Sequence, residues 1–196
     1  MNVANNKESF IIWGDTSGGK THVLMLIMIS LVASDGGRIF IYCAPTDQLA
    51  IQTFSNVVST FGSENASIVT EQITIISEHS KIYIGTPKEL SDYFIRFSKR
   101  NTFKDTFATK IINPCFFLAV DECHTMDKSY NPTVEGLKSA KSIYNLVTAL
   151  KGHGDLKQFI GMSASLSETS FQNCKRVISQ ASNISDIKLI KYTKYD

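Results

Sequence analysis

The sequence predicts an α/β fold of three layers, in which helices cover both faces of a mostly parallel central sheet. Two observations lead to this prediction. Short apolar segments with the character of strands alternate with longer helical segments along most of the chain. The strand segments are also too continuously apolar to have one face in water, which is typical of parallel strands buried on both sides.

Length and composition fit one domain with a substantial core. The chain has 196 residues, of which 43% are hydrophobic and 19% are charged, as in ordinary globular proteins. The formal net charge of +2 neither requires nor excludes nucleic acid as a partner. The cysteines show no C-x-x-C spacing, which disfavours structural zinc; they are Cys43, Cys115, Cys123 and Cys174.

Nothing in the sequence predicts a membrane protein or a secreted one. The longest apolar run, residues 23–32, is too short to cross a bilayer and is better explained as a buried helix. The first residues lack the charged and hydrophobic zones of a signal peptide. We therefore expect an intracellular location, cytoplasmic or nuclear, with free thiols and no membrane partner.

The first half of the chain consists of two strand–helix pairs followed by a less regular stretch. Each strand is a short apolar run rich in β-branched or aromatic residues, and each helix is a longer segment with apolar residues at helical spacing. The predicted elements are a strand at 10–13, a helix at about 20–34, a strand at 38–43, a helix at about 47–61, weak strands at 66–70 and 73–76, and a firmer strand at 81–84.

The second half opens with a helix whose start is marked by its capping residues. Thr86 suits the N-cap, Pro87 the first helical position, and Glu89 completes a capping box, so that a helix is predicted to about residue 97. A loop at 127–133 and the Gly-His-Gly sequence at 152–154 separate the later elements. These are a strand at 114–120, a helix at about 135–150, a strand at 158–162, a helix at 168–180 and a strand at 187–190.

The turn after the first strand fits the phosphate-loop pattern G-x-x-x-x-G-K-[ST] without a mismatch. Its residues are Gly14, Asp15, Thr16, Ser17, Gly18, Gly19, Lys20 and Thr21. Glycines allow backbone N–H groups to turn toward phosphate oxygens, and the following helix adds its positive N-terminal dipole. Lys20 would reach the β- and γ-phosphates, and the Thr21 hydroxyl would bind Mg²⁺. The alternative is a plain glycine turn between a strand and a helix.

Two carboxylates follow the strand predicted at 114–120. Asp121 and Glu122 would lie at the carboxyl end of that strand, where open α/β sheets bind their ligands. Asp121 suits a magnesium ligand, and Glu122 suits a base that orients water for hydrolysis. Taken alone, an Asp-Glu pair after a strand is most often a solvated turn. Downstream of a complete phosphate loop it indicates a site for a nucleoside triphosphate and magnesium.

Five segments taken together are similar to the motifs of a known family. Residues 14–21, 44–52, 85–90, 120–124 and 163–165 resemble, in this order, motifs I, Ia, Ib, II and III of a superfamily 2 helicase of the DExH/DEAD-box kind. The matching part of that family is its first, ATP-binding RecA-like domain, a P-loop NTPase fold. The last of these segments reads Ser-Ala-Ser where the family usually has Ser-Ala-Thr.

The resemblance implies roles for particular residues. ATP and Mg²⁺ are the implied cofactors, with Lys20, Asp121, Glu122, His124 and Ser163 as catalytic residues and with Thr21 and Asp121 as metal ligands. His124 and Ser163 are implied to couple chemistry to movement, with the segment 163–165 lying between the carboxylates and the nucleic-acid surface. RNA is preferred to DNA as the partner by family analogy alone. The implied nucleic-acid contacts are Pro45, Thr46, Gln52, Thr86, Pro87 and Lys88.

The implied nucleic-acid surface has an alternative explanation and one departure from the family. Thr46 and Thr86 precede helices whose free N–H groups can bind phosphate, but both can also be plain helix caps. Asp47 stands where the family usually has Arg or Lys, and its carboxylate would repel a phosphate. Lys88 is the residue expected to compensate.

The resemblance covers only half of a helicase motor. Residues 1–196 are expected to form the first RecA-like domain. The second, which supplies arginines to the nucleotide, is expected to be absent from this chain and to act as a partner in cis or in trans. Because an arginine finger contributes about 10³- to 10⁵-fold in related hydrolases, we expect weak ATP hydrolysis by the chain alone. Three alternatives are a duplex-DNA translocase, a nucleotide-binding interaction module without motor activity, and a small-molecule kinase. The kinase is disfavoured because only Arg176 follows Arg100 where a lid would need arginines.

Overall fold

The computed structural model describes residues 8–14, 20–32, 37–99, 115–126 and 134–192. The strands are β1 (Ser9–Gly14), β2 (Arg38–Cys43), β3 (Ala66–Val69), β4 (Thr74–Ile75), β5 (Ile82–Gly85), β6 (Cys115–Val120), β7 (Asp155–Ser163) and β8 (Ile187–Tyr192). The helices are α1 (Lys20–Val32), α2 (Asp47–Phe61), α3 (Pro87–Lys99), α4 (Val134–Lys151) and α5 (Glu168–Ala181), and short 3₁₀ helices occupy Ser63–Asn65 and Cys123–Met126. Each predicted strand and helix is present, with small differences at the ends. The predicted loop at 127–133 lies outside the described residues.

The strands form a single sheet in the order β4-β3-β5-β2-β6-β7-β1-β8. Neighbouring strands are parallel throughout, except that β3 and β4 form an antiparallel pair. Strands of one direction joined by helices bring their carboxyl ends to the same edge of the sheet. The predicted mostly parallel sheet is therefore confirmed, and its carboxyl edge carries most of the residues singled out above.

Alternate residues of the strands supply two separate cores. In β2, Ile39 and Ile41 face the core formed with α3, α4 and α5, while Phe40 and Tyr42 face the core formed with α1 and α2. This period of two, with both faces buried, is what produces the near-continuous apolar runs in the sequence. Helices on both faces give the three layers that the sequence predicts.

The start of β7 differs from the prediction. The strand begins at Asp155, three residues before the predicted start at 158, and its pairing with β6 shifts register between Phe116 and Phe117. Of its first three residues, Asp155 and Lys157 are charged and exposed, so the apolar pattern did not mark this stretch as strand. In the part of the chain described, no helix is long and apolar enough to cross a membrane.

Candidate nucleotide and nucleic-acid site

The carboxyl edge of the sheet gathers the ends of five parallel strands. Across this edge lie, in order, Gly85 of β5, Cys43 of β2, Val120 of β6, Ser163 of β7 and Gly14 of β1. With about 4.8 Å between neighbouring strands, the ends of β2 and β1 are about 14 Å apart. In open α/β sheets, ligands bind outside this edge.

The phosphate-loop sequence connects β1 to α1. Gly14 is the last residue of β1, and α1 begins with Lys20 and Thr21. The predicted phosphate-binding residues Asp15, Thr16, Ser17, Gly18 and Gly19 lie outside the described residues. Helix α1 packs on the sheet through Leu24, Ile27 and Met28, which belong to the core shared with α2. The required order of strand, glycine-rich segment and helix is therefore present.

Asp121 projects onto the face of the sheet that α1 covers. Phe117 and Ala119 of β6 belong to the α1 and α2 core, whereas Leu118 and Val120 face the opposite helices. Continuing this alternation by one residue turns Asp121 toward the α1 side. The Asp121 N–H donates to the Cys43 carbonyl oxygen at 3.0 Å, which extends the pairing of β6 with β2 by one residue.

Both carboxylate oxygens of Asp121 accept a hydrogen bond. The Tyr42 hydroxyl donates to Oδ2 at 3.0 Å, and the backbone N–H of Glu122 donates to Oδ1 at 2.9 Å. Tyr42 itself is 1% exposed. The carboxylate is therefore held in one orientation although it stands at a partly exposed strand end.

Glu122 adopts a backbone conformation that side-chain-bearing residues rarely take. Its φ is 48°, in the left-handed region. Such a conformation costs about 1–3 kcal/mol and persists where the surrounding structure imposes it, often at functional sites. The bend turns the chain sharply from β6 into the 3₁₀ helix Cys123–Met126, so that Glu122 Oε2 lies 3.1 Å from His124 Nδ1.

His124 and Ser163 meet across the ends of β6 and β7. His124 Nδ1 lies 2.8 Å from Ser163 Oγ, although the two residues are 39 apart in sequence. Ser163 is fully buried, and its hydroxyl donates to the Ser165 carbonyl oxygen at 3.0 Å. The structure thus joins Glu122, His124 and Ser163 into one polar network.

One expectation about Ser163 concerns its position relative to bound nucleic acid. The expectation places it between the carboxylates and the nucleic-acid surface. In strand order, however, β7 lies between β6 and β1. Along the sheet edge, Ser163 is therefore on the β1 side of Asp121, whereas Thr46 and Thr86 follow β2 and β5 on the other side. This order does not locate a bound nucleic acid, so the expected position stays a prediction.

The segments expected to bind nucleic acid follow the neighbouring strands β2 and β5. They are tied directly to each other, since the Ala44 N–H donates to the Gly85 carbonyl oxygen at 2.8 Å. Thr46 caps α2, and its Oγ1 accepts from the Leu49 N–H at 3.3 Å. Pro45, Thr46 and Gln52 are exposed. Thr46 therefore has the helix-capping role that was expected as the alternative, and it remains exposed to solvent while it caps the helix.

The beginning of α3 lies beside that of α2. The helix starts at Pro87, and the Leu90 N–H donates to the Thr86 carbonyl oxygen at 3.0 Å. Lys88 is exposed, and its ammonium group forms ion pairs with Glu89 and, at 3.8 Å, with Asp92. The hydrogen bond that Lys88 donates to Glu89, together with the charge of Glu89, raises the pKa of Lys88. These two carboxylates reduce what Lys88 can add to phosphate binding.

Asp47 has a structural partner that the sequence did not indicate. Its Oδ2 accepts from the Glu71 N–H at 3.1 Å, which links the first turn of α2 to the turn between β3 and β4. The carboxylate also lies at the positive end of the α2 dipole. This explains how an acidic residue is accommodated at a position where a basic one was expected.

A comparison with protein families identifies the chain. The sequence model described as DEAD/DEAH box helicase matches residues 1–173. The chain belongs to the DEAD/DEAH box helicase family. The predicted family is therefore confirmed, and the family implies an ATPase linked to helicase activity. No curated protein sequence matches the chain.

Solved helicase structures share the fold of this domain. S. cerevisiae Dbp5 bound to RNA and ADP BeF3 has a TM-score of 0.64 at 18% identity over 96% of this chain and 43% of its own. The DUF1998 helicase MrfA has a TM-score of 0.64 at 21% identity over 94% of this chain and 28% of its own. The Pyrococcus furiosus Hef helicase domain has a TM-score of 0.59 at 19% identity over 96% of this chain and 36% of its own. This helicase domain thus spans less than half the length of each.

The donor set of the helicase domain fits a magnesium ion that is shared with a nucleotide. Mg²⁺ usually keeps several waters and binds one or two carboxylates together with phosphate oxygens. Among the residues described, no three His, Cys, Asp or Glu side chains gather into a metal site. Asp121 offers one carboxylate, and each of its oxygens accepts one of the hydrogen bonds described above, which leaves a second lone pair on each for a cation.

Two features of this helicase domain were missed in the sequence. Tyr42 was assigned only to a buried strand, although a tyrosine in an apolar strand needs a partner for its hydroxyl.

Gly161 interrupts the apolar run of β7, where a Cβ would lie 2.8 Å from Ile11 Cγ1 and 3.1 Å from Cys123 Sγ. A glycine inside a strand often marks such a close approach, so this signal was available. Here the absence of a side chain on Gly161 makes room for the side chain of Cys123, which lies between Glu122 and His124 in the sequence.

Proposed function

We propose that this chain is the ATP-binding domain of a DExH helicase. It would couple hydrolysis of Mg²⁺-ATP to the binding and unwinding of RNA when a second RecA-like domain joins it in cis or in trans. The observation that carries the proposal is the direction of the Asp121 carboxylate, which contacts Tyr42 of the core shared with α1. It points to the sheet face that α1 covers, and α1 begins with Lys20 and Thr21, the last two residues of the phosphate-loop sequence.

The proposal assigns each group one task in hydrolysis. The backbone of residues 14–19 and the Lys20 ammonium group would hold the phosphates, while Thr21 and Asp121 would hold Mg²⁺. When bound, the ion would neutralise charge on the phosphates. Glu122 would accept a proton from the attacking water, and the contact with His124 at 3.1 Å would keep its carboxylate in place.

The proposed RNA surface consists of the helix starts that follow β2 and β5. Free N–H groups at the beginning of α2 and α3 can bind phosphates of one strand. The contacts proposed are those of Pro45, Thr46, Gln52, Thr86, Pro87 and Lys88. RNA in the structure of Dbp5 supports RNA over DNA for this chain.

ATPase measurements test the proposal against its alternatives. Hydrolysis is measured without nucleic acid, with single-stranded RNA and with duplex DNA, each with and without a second RecA-like domain in trans. Lys20→Ala supplies the background rate. We expect RNA to raise the rate only when both domains are present. Stimulation by duplex DNA alone would favour a DNA translocase, and nucleotide binding without hydrolysis in every condition would favour a non-motor interaction module.

Replacement of Ser163 tests whether its contact with His124 couples ATP hydrolysis to RNA binding. Ser163→Ala removes the hydroxyl that lies 2.8 Å from His124 Nδ1. We expect the RNA-stimulated rate to fall by about tenfold, the value of one hydrogen bond, with nucleotide affinity unchanged. Ser67→Ala removes another fully buried hydroxyl, in β3, four strands away from β7 in the sheet, and is the control. An unchanged RNA-stimulated rate in Ser163→Ala would argue against the link.

Replacement of Asp47 tests the charge on the proposed RNA surface. Asp47→Asn keeps a side-chain oxygen for the Glu71 N–H but removes the charge that opposes phosphate. We expect affinity for single-stranded RNA to rise by about threefold at low salt and the gain to shrink as salt increases. Fluorescence anisotropy at several salt concentrations measures this. Asp186→Asn, at the amino end of β8, is the control, and equal effects of the two variants would place RNA elsewhere.

A further inference from the structure

Tyr42 and Asp121 come together through the pairing of β2 with β6. Tyr42 is paired with Ala119, and Asp121 lies two residues farther along on the same face of the sheet. A tyrosine side chain is long enough to cover this diagonal, and its hydroxyl reaches Oδ2 of Asp121 at 3.0 Å. Phenylalanine would lack the donor atom, and an aliphatic residue would be too short.

The Tyr42 hydroxyl donates its hydrogen bond to Asp121 from a buried position. Burial raises the pKa of Tyr42, and the neighbouring Asp121 carboxylate raises it further. The buried Thr53 side chain of α2 lies beside the same hydroxyl and acts on its pKa in the opposite direction. The acceptor of the hydrogen bond that Tyr42 donates is the Asp121 carboxylate.

We propose that Tyr42 is a positioning residue that fixes the Asp121 carboxylate in the orientation that binds Mg²⁺. This inference rests on the proposed function. Tyr42 and the Glu122 N–H each hold one oxygen, so the carboxylate is not free to rotate. Hydrogen-bonded partners of metal-binding carboxylates orient them, and loss of such a partner typically lowers metal affinity by about 10–100-fold.

A purely structural role for Tyr42 makes a different prediction. In that case Asp121 serves only to satisfy a buried hydroxyl, and removal of the hydroxyl would change stability but not metal binding. Asp121 is partly exposed, so water can replace the lost donor and Tyr42→Phe should still fold. Metal binding without turnover therefore separates the two roles.

The test measures Mn²⁺ binding to the whole chain in the presence of ADP, by the electron paramagnetic resonance signal of free Mn²⁺. Tyr42→Phe is compared with the unmodified chain and with Tyr83→Phe. Tyr83 is equally buried, on the adjacent strand β5, but faces the opposite core, where its ring lies 5.4 Å from that of Phe94. Both variants lose one buried tyrosine hydroxyl. ADP affinity in EDTA and thermal stability are measured alongside.

We expect the Mn²⁺ dissociation constant to rise by about tenfold in Tyr42→Phe and to stay unchanged in Tyr83→Phe. ADP affinity in EDTA should be equal in all three proteins. Unchanged or tighter Mn²⁺ binding by Tyr42→Phe would overturn the positioning role alone. Absence of Mn²⁺–ADP binding by the unmodified chain would overturn the proposed function and this inference with it.

Discussion

Glu122→Gln is expected to lower the rate of ATP hydrolysis by about 10²- to 10³-fold, the usual contribution of a general base. Glutamine keeps the shape of the side chain and can remain near His124, but it cannot accept a proton from water. Nucleotide affinity should stay close to the original value, because the phosphates and Mg²⁺ are assigned to other residues. Single-turnover hydrolysis with RNA and the second domain, together with equilibrium nucleotide binding, measures both quantities.

The control for this prediction is a glutamate outside the candidate site. Glu168 stands at the start of α5, where it accepts a hydrogen bond from the Gln172 side chain at 2.8 Å. Glu168→Gln makes the same chemical change and should leave the rate unaltered. If Glu122→Gln kept more than about a tenth of the original rate, Glu122 would not be the base. The network with His124 and Ser163 would then need another explanation.

The layers of the fold were predictable because each strand is buried on both faces. Short continuous apolar runs such as that of β6 are typical of central strands, and alternation with helices favours a parallel arrangement. The order of the strands was not predictable, because pairing between β1 and β7 joins residues about 150 positions apart without a local signal. This order is what brings Ser163 of β7 beside His124, which follows β6.

The site was predictable where the chemistry lies within one short segment. Asp121, Glu122 and His124 are consecutive or nearly so, and the strand before them fixes their location. The contact of Tyr42 with Asp121 joins residues 79 apart, and it depends on the register of β2 with β6. The left-handed conformation of Glu122 was hidden for another reason, since glutamate has no preference for it. Tertiary structure imposes that bend.

Gly85→Ala is expected to lower the free energy of unfolding by about 3 kcal/mol or more. A Cβ on Gly85 would lie 2.1 Å from the Val69 carbonyl oxygen and 2.9 Å from Leu90 Cγ. Leu90 can move, but the carbonyl belongs to β3, which is paired with β5 at this position. Relief of the clash therefore requires the two strands to separate at their carboxyl ends. Urea denaturation followed by circular dichroism measures the loss.

The same substitution should weaken RNA binding, because Gly85 positions both proposed RNA segments. Its carbonyl oxygen accepts the Ala44 N–H at 2.8 Å, and Thr86 follows it directly. Displacement of Gly85 would thus move the starts of α2 and α3 relative to each other. Gly152→Ala, in the turn after α4, is the control, since its nearest contact would be 3.3 Å. A loss of less than about 1 kcal/mol in Gly85→Ala would mean that β3 yields readily, and the glycine would then need a role in ligand binding.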